Sequence, residues 1–396
     1  MTAPLDGVMV VALEHAVAAP LASRHLADLG ATVLKVERPG VGDFARHYDS
    51  KMNGESTYFV WANRGKQSIE LDLADVADRA TFDALVAGAD VFIQNLSAAA
   101  GARARVGADH LHATHPHLIA CEITGYGRGG PRTDDKAYDL AIQAEAGAIA
   151  LTGEADRMSK VGFSAADISA AMYALSSILA ALYRRNVTGA GAAISLSMLE
   201  CLAEWTAPAV YSAVHTGVVP PRVGHRHALI APYGLYDVGD EGAVLVAVQS
   251  NPEWASFAEV VLGDAALADD QRFVDNESRI ANVEALEAEI ADTFGRLTIA
   301  EVGGDSTRVE SRGRASATRS RSGTTSSSRP GTGSCRSSTG TARRPRTAHR
   351  STSTPSRHLD RACRGWVTTI LRSWRNCDAA PNVGAERRRG LEIGHT

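Results

Sequence analysis

Hydrophobic positions along the chain fall into two rhythms. Short, continuous apolar runs recur: VMVVAL at 8–13, TVLKV at 32–36, VFIQ at 91–94 and LIACEIT at 118–124. Runs of this length without polar alternation predict strands covered on both faces, as in a parallel sheet. Ser68–Leu71 reads as a further strand. Between the runs lie segments with helical spacing, Pro20–Leu29, closed by Gly30, and Asp75–Ala87. The alternation predicts an α/β fold built on an open, doubly wound parallel sheet.

Farther on, Ala165–Arg185 places Ile168, Met172, Leu175, Ile178, Leu179 and Leu182 at helical spacing. A short strand (Ala192–Leu196) and a second long helix (Met198–His215) follow. Val218–His227 reads as a linker. Tyr233–Val238 and Ala243–Val248 flank the turn GDEG, a hairpin signal. Pro252–Leu262 and Asn282–Phe294 are helical. These boundaries divide the chain into a large domain at 1–217, a linker with a smaller α+β domain at 218–302, and a remainder at 303–396.

Composition changes that picture at its end. The chain has 396 residues and a net charge of −4, but residues 301–396 hold 19 Arg, no Lys and 7 acids. The first 300 residues hold 22 basic and 38 acidic side chains. Residues 305–357 contain 24 Ser or Thr and no Ile, Leu, Met, Phe, Tyr or Trp, too little apolar surface to offset the entropy of ordering. The segment reads either as a disordered basic tail or as a GC-rich gene translated in a shifted frame. The absence of Lys favours the second.

Several classes drop out. No run of 18 apolar residues is present, so no membrane span is expected, and the N-terminus lacks the basic start of a secretory signal. Five cysteines without a CxxC pair argue against a disulfide framework or zinc site and fit a reducing cytoplasm. The acidic body argues against nucleic acid as a partner.

Candidate chemistry is sparse. The turn after the first strand, EHAVAAP at 14–20, has no GxGxxG, so Glu37 after the second strand is not expected to meet a dinucleotide ribose. The loop GYGRGG at 125–130 has no GK[ST] and is no P-loop. His225 and His227 lack a third ligand, so no metal site is expected. Cys121 and Cys201 sit in apolar runs as small hydrophobes. Ser164-Ala-Ala-Asp167 opens the long helix. It reads as a capping box, in which Ser164 and Asp167 each satisfy a free amide, or as a carboxylate nucleophile held in the positive field of the helix start.

The ordered series LEHAVAAPL at 13–21, DLGATVLKVERPG at 28–40, NRGKQSIELDL at 63–73, ADVFIQN at 89–95, GYG at 125–127, Tyr138-Asp139 and ILAALYRR at 178–185 resembles the class III CoA-transferases. These include formyl-CoA and carnitine CoA-transferases, with α-methylacyl-CoA racemase as a sister enzyme. The similarity is collinear over about residues 4–302. It implies a Rossmann-like large domain, a smaller α+β domain and an interlocked homodimer. It implies Asp167 as the catalytic nucleophile, which forms an anhydride with an acyl group and then a thioester with CoA. It also implies Val17, Tyr138 and Asp139 beside the substrate. Arg38, Leu71, Asn95, Leu96, Arg103 and Lys136 match CoA-binding positions. Coenzyme A is then a substrate and product, with no permanently bound cofactor. The partners are an acyl-CoA and a carboxylic acid, and the opening motif is most like enzymes of C4 and C5 dicarboxylic acids. A racemase would need a histidine where Tyr138 stands. An inactive CoA-binding relative is the other reading, motivated by the altered C-terminus.

Overall fold

The computed structural model describes residues 2–306. The chain forms two compact units, one running to Gly224 and the other starting at His225.

The first unit is a six-stranded, wholly parallel sheet: β1 (Met9–Leu13), β2 (Thr32–Glu37), β3 (Gln67–Glu70), β4 (Val91–Gln94), β5 (Ile119–Thr124) and β6 (Ala192–Ser197). The strand order is β3-β2-β1-β4-β5-β6, with Val10 opposite Val33 on one side and Val91 on the other. The order reverses between β1 and β4. In doubly wound sheets that point opens a crevice beyond the carboxyl ends of the strands.

The helices of this unit are α1 (Ala18–Asp28), α2 (Thr57–Asn63), α3 (Val76–Ala87), α4 (Ala98–Arg103), α5 (Ala108–Thr114), α6 (Asp139–Glu145), α7 (Ala148–Leu151), α8 (Ala165–Thr188) and α9 (Met198–Thr216). Alternate strand residues explain the unbroken apolar runs. Val10 and Ala12 face a core shared with α1, α8 and α9, while Val11 faces one shared with α3 and α5. Gly30, at φ +102, lets the chain reverse after α1.

The long helix α8 differs from the sequence reading in the stripe it buries. Ala166, Ala170, Ala174 and Ile178 are wholly buried, while Met172 is 41% exposed. Alanines at a spacing of four let α8 approach α1, and the larger side chains ride on the flanks. By length and hydropathy alone α8 could cross a membrane, but its buried alanines belong to a protein core. The segment TYFVWAN, rich in strand-forming residues, is the helix α2 because Ser56 caps it by accepting from the Phe59 amide.

The second unit pairs β7 (Tyr233–Val238) with β8 (Gly242–Ala247) as an antiparallel hairpin. It adds α10 (Asn251–Val260), α11 (Asn276–Ala281), α12 (Val283–Phe294) and α13 (Ile299–Ser306). Trp254, Phe257, Phe273 and Phe294 fill its core. Arg279, 1% exposed, donates to Ala231 O, Phe273 O and Asn251 Oδ1. α13 runs four residues past 302. The basic segment beyond Ser306, with its two readings, lies outside the described residues.

Candidate active site

The turn from β1 into α1 sits at the crevice. Its His15 amide donates to Asn95 Oδ1 at 3.0 Å, and Asn95 Nδ2 returns a bond to His15 O at 2.8 Å. This pair ties the ends of β1 and β4 together across the switch point. The next residue, Ala16, has φ +61, a left-handed conformation that costs a non-glycine residue about 1 kcal/mol or more. It is held there by Asp43 Oδ1, which accepts from the Ala16 amide at 3.0 Å.

Beneath the turn lies a fully buried set of charges. Lys35 Nζ meets Asp43 Oδ2 at 2.9 Å and Glu14 Oε1 at 3.5 Å. Lys66 Nζ meets Glu14 Oε1 at 2.6 Å and also donates to Pro20 O and Asn63 Oδ1. Two cations and two anions balance, as burial requires. Burial opposes charge on Glu14, yet Lys66 and Lys35 hold its carboxyl below the usual range. Burial pulls the Lys66 ammonium down to about 8 against the attraction of Glu14. Lys35, the one charged residue in its run, is the sequence feature that could have pointed to this network, but from sequence it reads only as part of a strand.

Glu37 is part of the same scaffold rather than a ribose ligand. Its carboxylate accepts from the Asp43 amide, from Ser68 and from both Nε and Nη2 of Arg46. Although burial opposes ionisation, these partners hold it down at about 2.

On the far side of the cleft, α8 starts at Ala165 after Ser164, which forms no side-chain cap. The capping box expected of Ser164 and Asp167 is absent. Asp139 takes its place: its Oδ1 accepts from the Ala166 amide at 2.8 Å and the Asp167 amide at 3.3 Å. Aspartate at 167 is a methylene shorter than the glutamate of a true box, which the second unit forms at Ser250 and Glu253. Gln143 steadies this arrangement. It donates to Asp139 Oδ2 and Phe163 O, and accepts from the Val161 amide.

Asp167 is therefore half-buried in the first turn of α8, and its carboxylate accepts no hydrogen bond from the described residues. The helix field favours its ionised form. Burial and, second, the charge of Asp139 outweigh that field and push its pKa up to about 7. A poorly solvated carboxylate with that pKa is about half ionised at pH 7, and its ionised form is a stronger nucleophile than a carboxylate on the surface.

Asp167 lies in a cleft of about 790 Å³, which also takes in Val17, Asn95, Leu96, Lys136, Tyr138 and Asp139. That volume suits a small-molecule site. Gly125 helps to shape the cleft: a Cβ there would collide with Ala137, so glycine lets the segment before Tyr138 approach. Arg38, Leu71 and Arg103 do not line this cleft. Arg38 and Arg103 are exposed, and Leu71 is buried in the core. All three nevertheless follow strands at the carboxyl edge of the sheet: Leu71 after β3, Arg38 after β2, and Arg103 in α4 after β4. The sequence reading missed Phe44, Tyr48, Tyr58 and Lys160, which also border the cleft. His227 stacks on Tyr233, with ring centroids 5.2 Å apart.

Comparison with known proteins identifies the family. The acetyl-CoA:oxalate CoA-transferase of Acetobacter aceti is 36% identical over 295 residues, 74% of this chain and 75% of that protein. The succinate–glutarate CoA-transferase of Agrobacterium fabrum is 34% identical, over 70% and 71%. The succinyl-CoA:mesaconate CoA-transferase of Haloarcula hispanica is 35% identical, over 73% and 74%. A crystal structure of a CAIB/BAIF family protein from Brucella suis superposes with a TM-score of 0.67 and 33% identity, covering 79% of this chain and 84% of that one. A hypothetical protein of Mycobacterium tuberculosis superposes at 0.71 with 26% identity, over 80% and 85%. The profile of CoA-transferase family III matches residues 5–307. The chain belongs to CoA-transferase family III.

Proposed function

We propose that Asp167 is the nucleophile of a CoA transfer from an acyl-CoA to a small dicarboxylic acid. The observation that carries this is the Asp167 carboxylate itself, which accepts no hydrogen bond from the described residues, is raised in pKa, and is set in a cleft at the carboxyl edge of the sheet. The named relatives that act on oxalate, glutarate and mesaconate support a dicarboxylate acceptor.

Asp167 attacks the thioester carbon, the C–S bond breaks, and CoA leaves as a thiolate while a mixed anhydride forms. The thiolate then attacks the aspartyl carbonyl, releasing the donor's carboxylate and leaving an aspartyl-CoA thioester. The acceptor carboxylate attacks that carbonyl and expels CoA, giving a second anhydride. Attack of CoA on the acceptor's acyl carbon restores Asp167. The thioester energy survives only if water is excluded while an anhydride exists. The row Phe44, Tyr48 and Tyr58, with centroids 5.9 Å apart at each step, supplies apolar cover along the cleft.

Lys136 and Lys160 at the cleft, and the exposed Arg38 and Arg103 on the same sheet edge, supply positive charge for CoA phosphates. Coenzyme A is a substrate and product, and the reaction as drawn uses no resident cofactor. Exposed Trp205, Val210, Tyr211 and Val214 on α9 support pairing with a second copy into a homodimer. The free, buried thiols of Cys121 and Cys201 fit a reducing, cytoplasmic setting.

The test is to incubate the protein with succinyl-CoA and a panel of dicarboxylic acids, then add hydroxylamine. The expected result is CoA transfer to an acceptor acid, with release of succinate, together with a hydroxamate on Asp167, located by peptide mass. A folded protein that transfers no CoA and carries no modification at Asp167 would overturn the proposal.

A further inference from the structure

We infer that Asp43 is a positioning residue for the Asp167 cleft, acting as a clamp between two of its walls. One carboxylate oxygen, Oδ1, accepts from the Ala16 amide at 3.0 Å and from the Ala45 amide at 2.9 Å. The first amide belongs to the left-handed turn that carries His15, Ala16 and Val17 into the cleft. The second opens the short 3-10 turn Phe44–His47, which brings Phe44 and, just after it, Tyr48 to the same cleft. His15 and Phe44 meet where the walls join, with ring centroids 5.1 Å apart.

Asp43 is itself held by two further contacts. Its Oδ2 pairs with Lys35 at 2.9 Å, both side chains being at most 1% exposed, and its amide donates to Glu37 Oε2 at 2.8 Å. Its side chain does not line the cleft. It works through the backbone of residues that do. An anhydride-forming attack depends on where the thioester lies relative to Asp167, and a displacement of about 1 Å can cost on the order of a hundredfold in rate. Releasing Ala16 removes the bond that holds its unfavourable φ, so this wall is the one expected to relax.

The inference separates two parts of Asp43. Hydrogen-bond acceptance should matter for turnover, whereas the buried ion pair with Lys35 should be replaceable. Two double variants test this in the full chain with the acyl-CoA and acid that the wild type turns over. Asp43→Asn with Lys35→Met keeps an acceptor oxygen and removes the pair, leaving Lys66 and Glu14 balanced at 2.6 Å. Asp43→Leu with Lys35→Met has the same charge balance but no acceptor. Replacing a buried pair together, rather than one member, limits the cost to folding. The first variant should keep kcat within about threefold of wild type. The second should lose about 10- to 100-fold in kcat per folded protein. The KM for acyl-CoA should change by less than about threefold in both, and because loss of folded protein would also lower Vmax at constant KM, the folded fraction is measured by active-site titration or circular dichroism before kcat is compared. Equal kcat in the two variants would overturn the inference. So would a loss of about 30-fold or more in the asparagine variant alone, even where the leucine variant fails to fold. Failure of the wild type to transfer CoA would instead count against the reaction assigned to Asp167.

Discussion

Asp139 caps the helix that carries Asp167, and its charge lies close enough to help raise the pKa of the group it positions. One side chain thus anchors the helix turn that carries Asp167 and adds to the rise in its pKa, which separates two effects in one experiment. Asp139→Asn keeps an oxygen for the Ala166 and Asp167 amides and removes the charge. The acid limb of kcat/KM against pH, expected to inflect near 7 in the wild type, should move to lower pH in this variant. It should not fall to 3.8, because burial is the larger cause and remains. An unmoved inflection would mean that the charge of Asp139 does not reach Asp167.

Asp139→Ala removes the cap as well. The expected loss is about 1 kcal/mol of stability in urea unfolding, the usual worth of an N-cap. A fall in kcat at every pH should accompany it, since the first turn of α8 loses its anchor. If alanine and asparagine behave alike at pH 8, the cap has no role in placing the nucleophile.

The same pKa makes a stability prediction with a definite sign. The Asp167 carboxyl ionises near 3.8 when unfolded and near 7 when folded. Between those values the native state holds a proton that the unfolded state has lost. The contribution is full below about pH 3.8 and declines as pH rises to 7. Its size is at most about 4 kcal/mol, and less once solvent in the cleft screens it. Asp167→Asn should therefore leave stability unchanged near pH 4 and raise Tm by a few degrees at pH 8, while abolishing transfer. Thermal melts at both pH values check this, and a variant no more stable than wild type at pH 8 would contradict it.

Much of this arrangement is legible in the sequence, for a physical reason. Strands buried on both faces write themselves as unbroken apolar runs, so β1, β2, β4 and β5 can be read directly. The exception inside a run, Lys35, marks the buried charges below the turn. The partners of Lys35 and Asp167 cannot be read that way. Asp43 looks like a surface acid in a glycine-rich loop, and Asp139 lies 28 residues before the amide it caps. Local spacing suggested that Ser164 would cap α8, but a residue from another helix satisfied those amides first. The stripe on α8 was misread because alanine, a weak hydrophobic signal, is what close helix packing selects. Arg38 and Arg103 came from family resemblance; the sheet order places β2 and β4, the strands they follow, on either side of β1.

In the second unit Arg279 is a buried cation held by Ala231 O, Phe273 O and Asn251 Oδ1, with the Trp254 ring 5.4 Å away. Methionine in its place fills similar volume but leaves buried acceptors unpaired, at about 1–3 kcal/mol each for those that water cannot reach. Arg279→Met should lower protection of β7 and α11 amides in hydrogen exchange, while amides of β1 and β4 in the other unit keep theirs. Unchanged protection around Ala231 would show those carbonyls to be satisfied by other means.

The buried charges under the first turn give the sharpest contrast between single and paired changes. Lys66→Met strips Glu14 of its 2.6 Å partner and leaves only Lys35 at 3.5 Å and the Ser23 hydroxyl against its charge. Removing one member of a buried pair typically costs about 3–5 kcal/mol. Adding Glu14→Gln removes the stranded charge, keeps an oxygen for Ser23, and leaves Lys35 and Asp43 as a neutral pair at 2.9 Å. The double variant should recover at least half of the loss, read from urea midpoints at constant m-value. If the two changes simply add, Glu14 and Lys66 act independently, and the four groups do not form one balanced set. Recovery would show that the first turn rests on charge balance, a property of the set that no single residue in the motif displays.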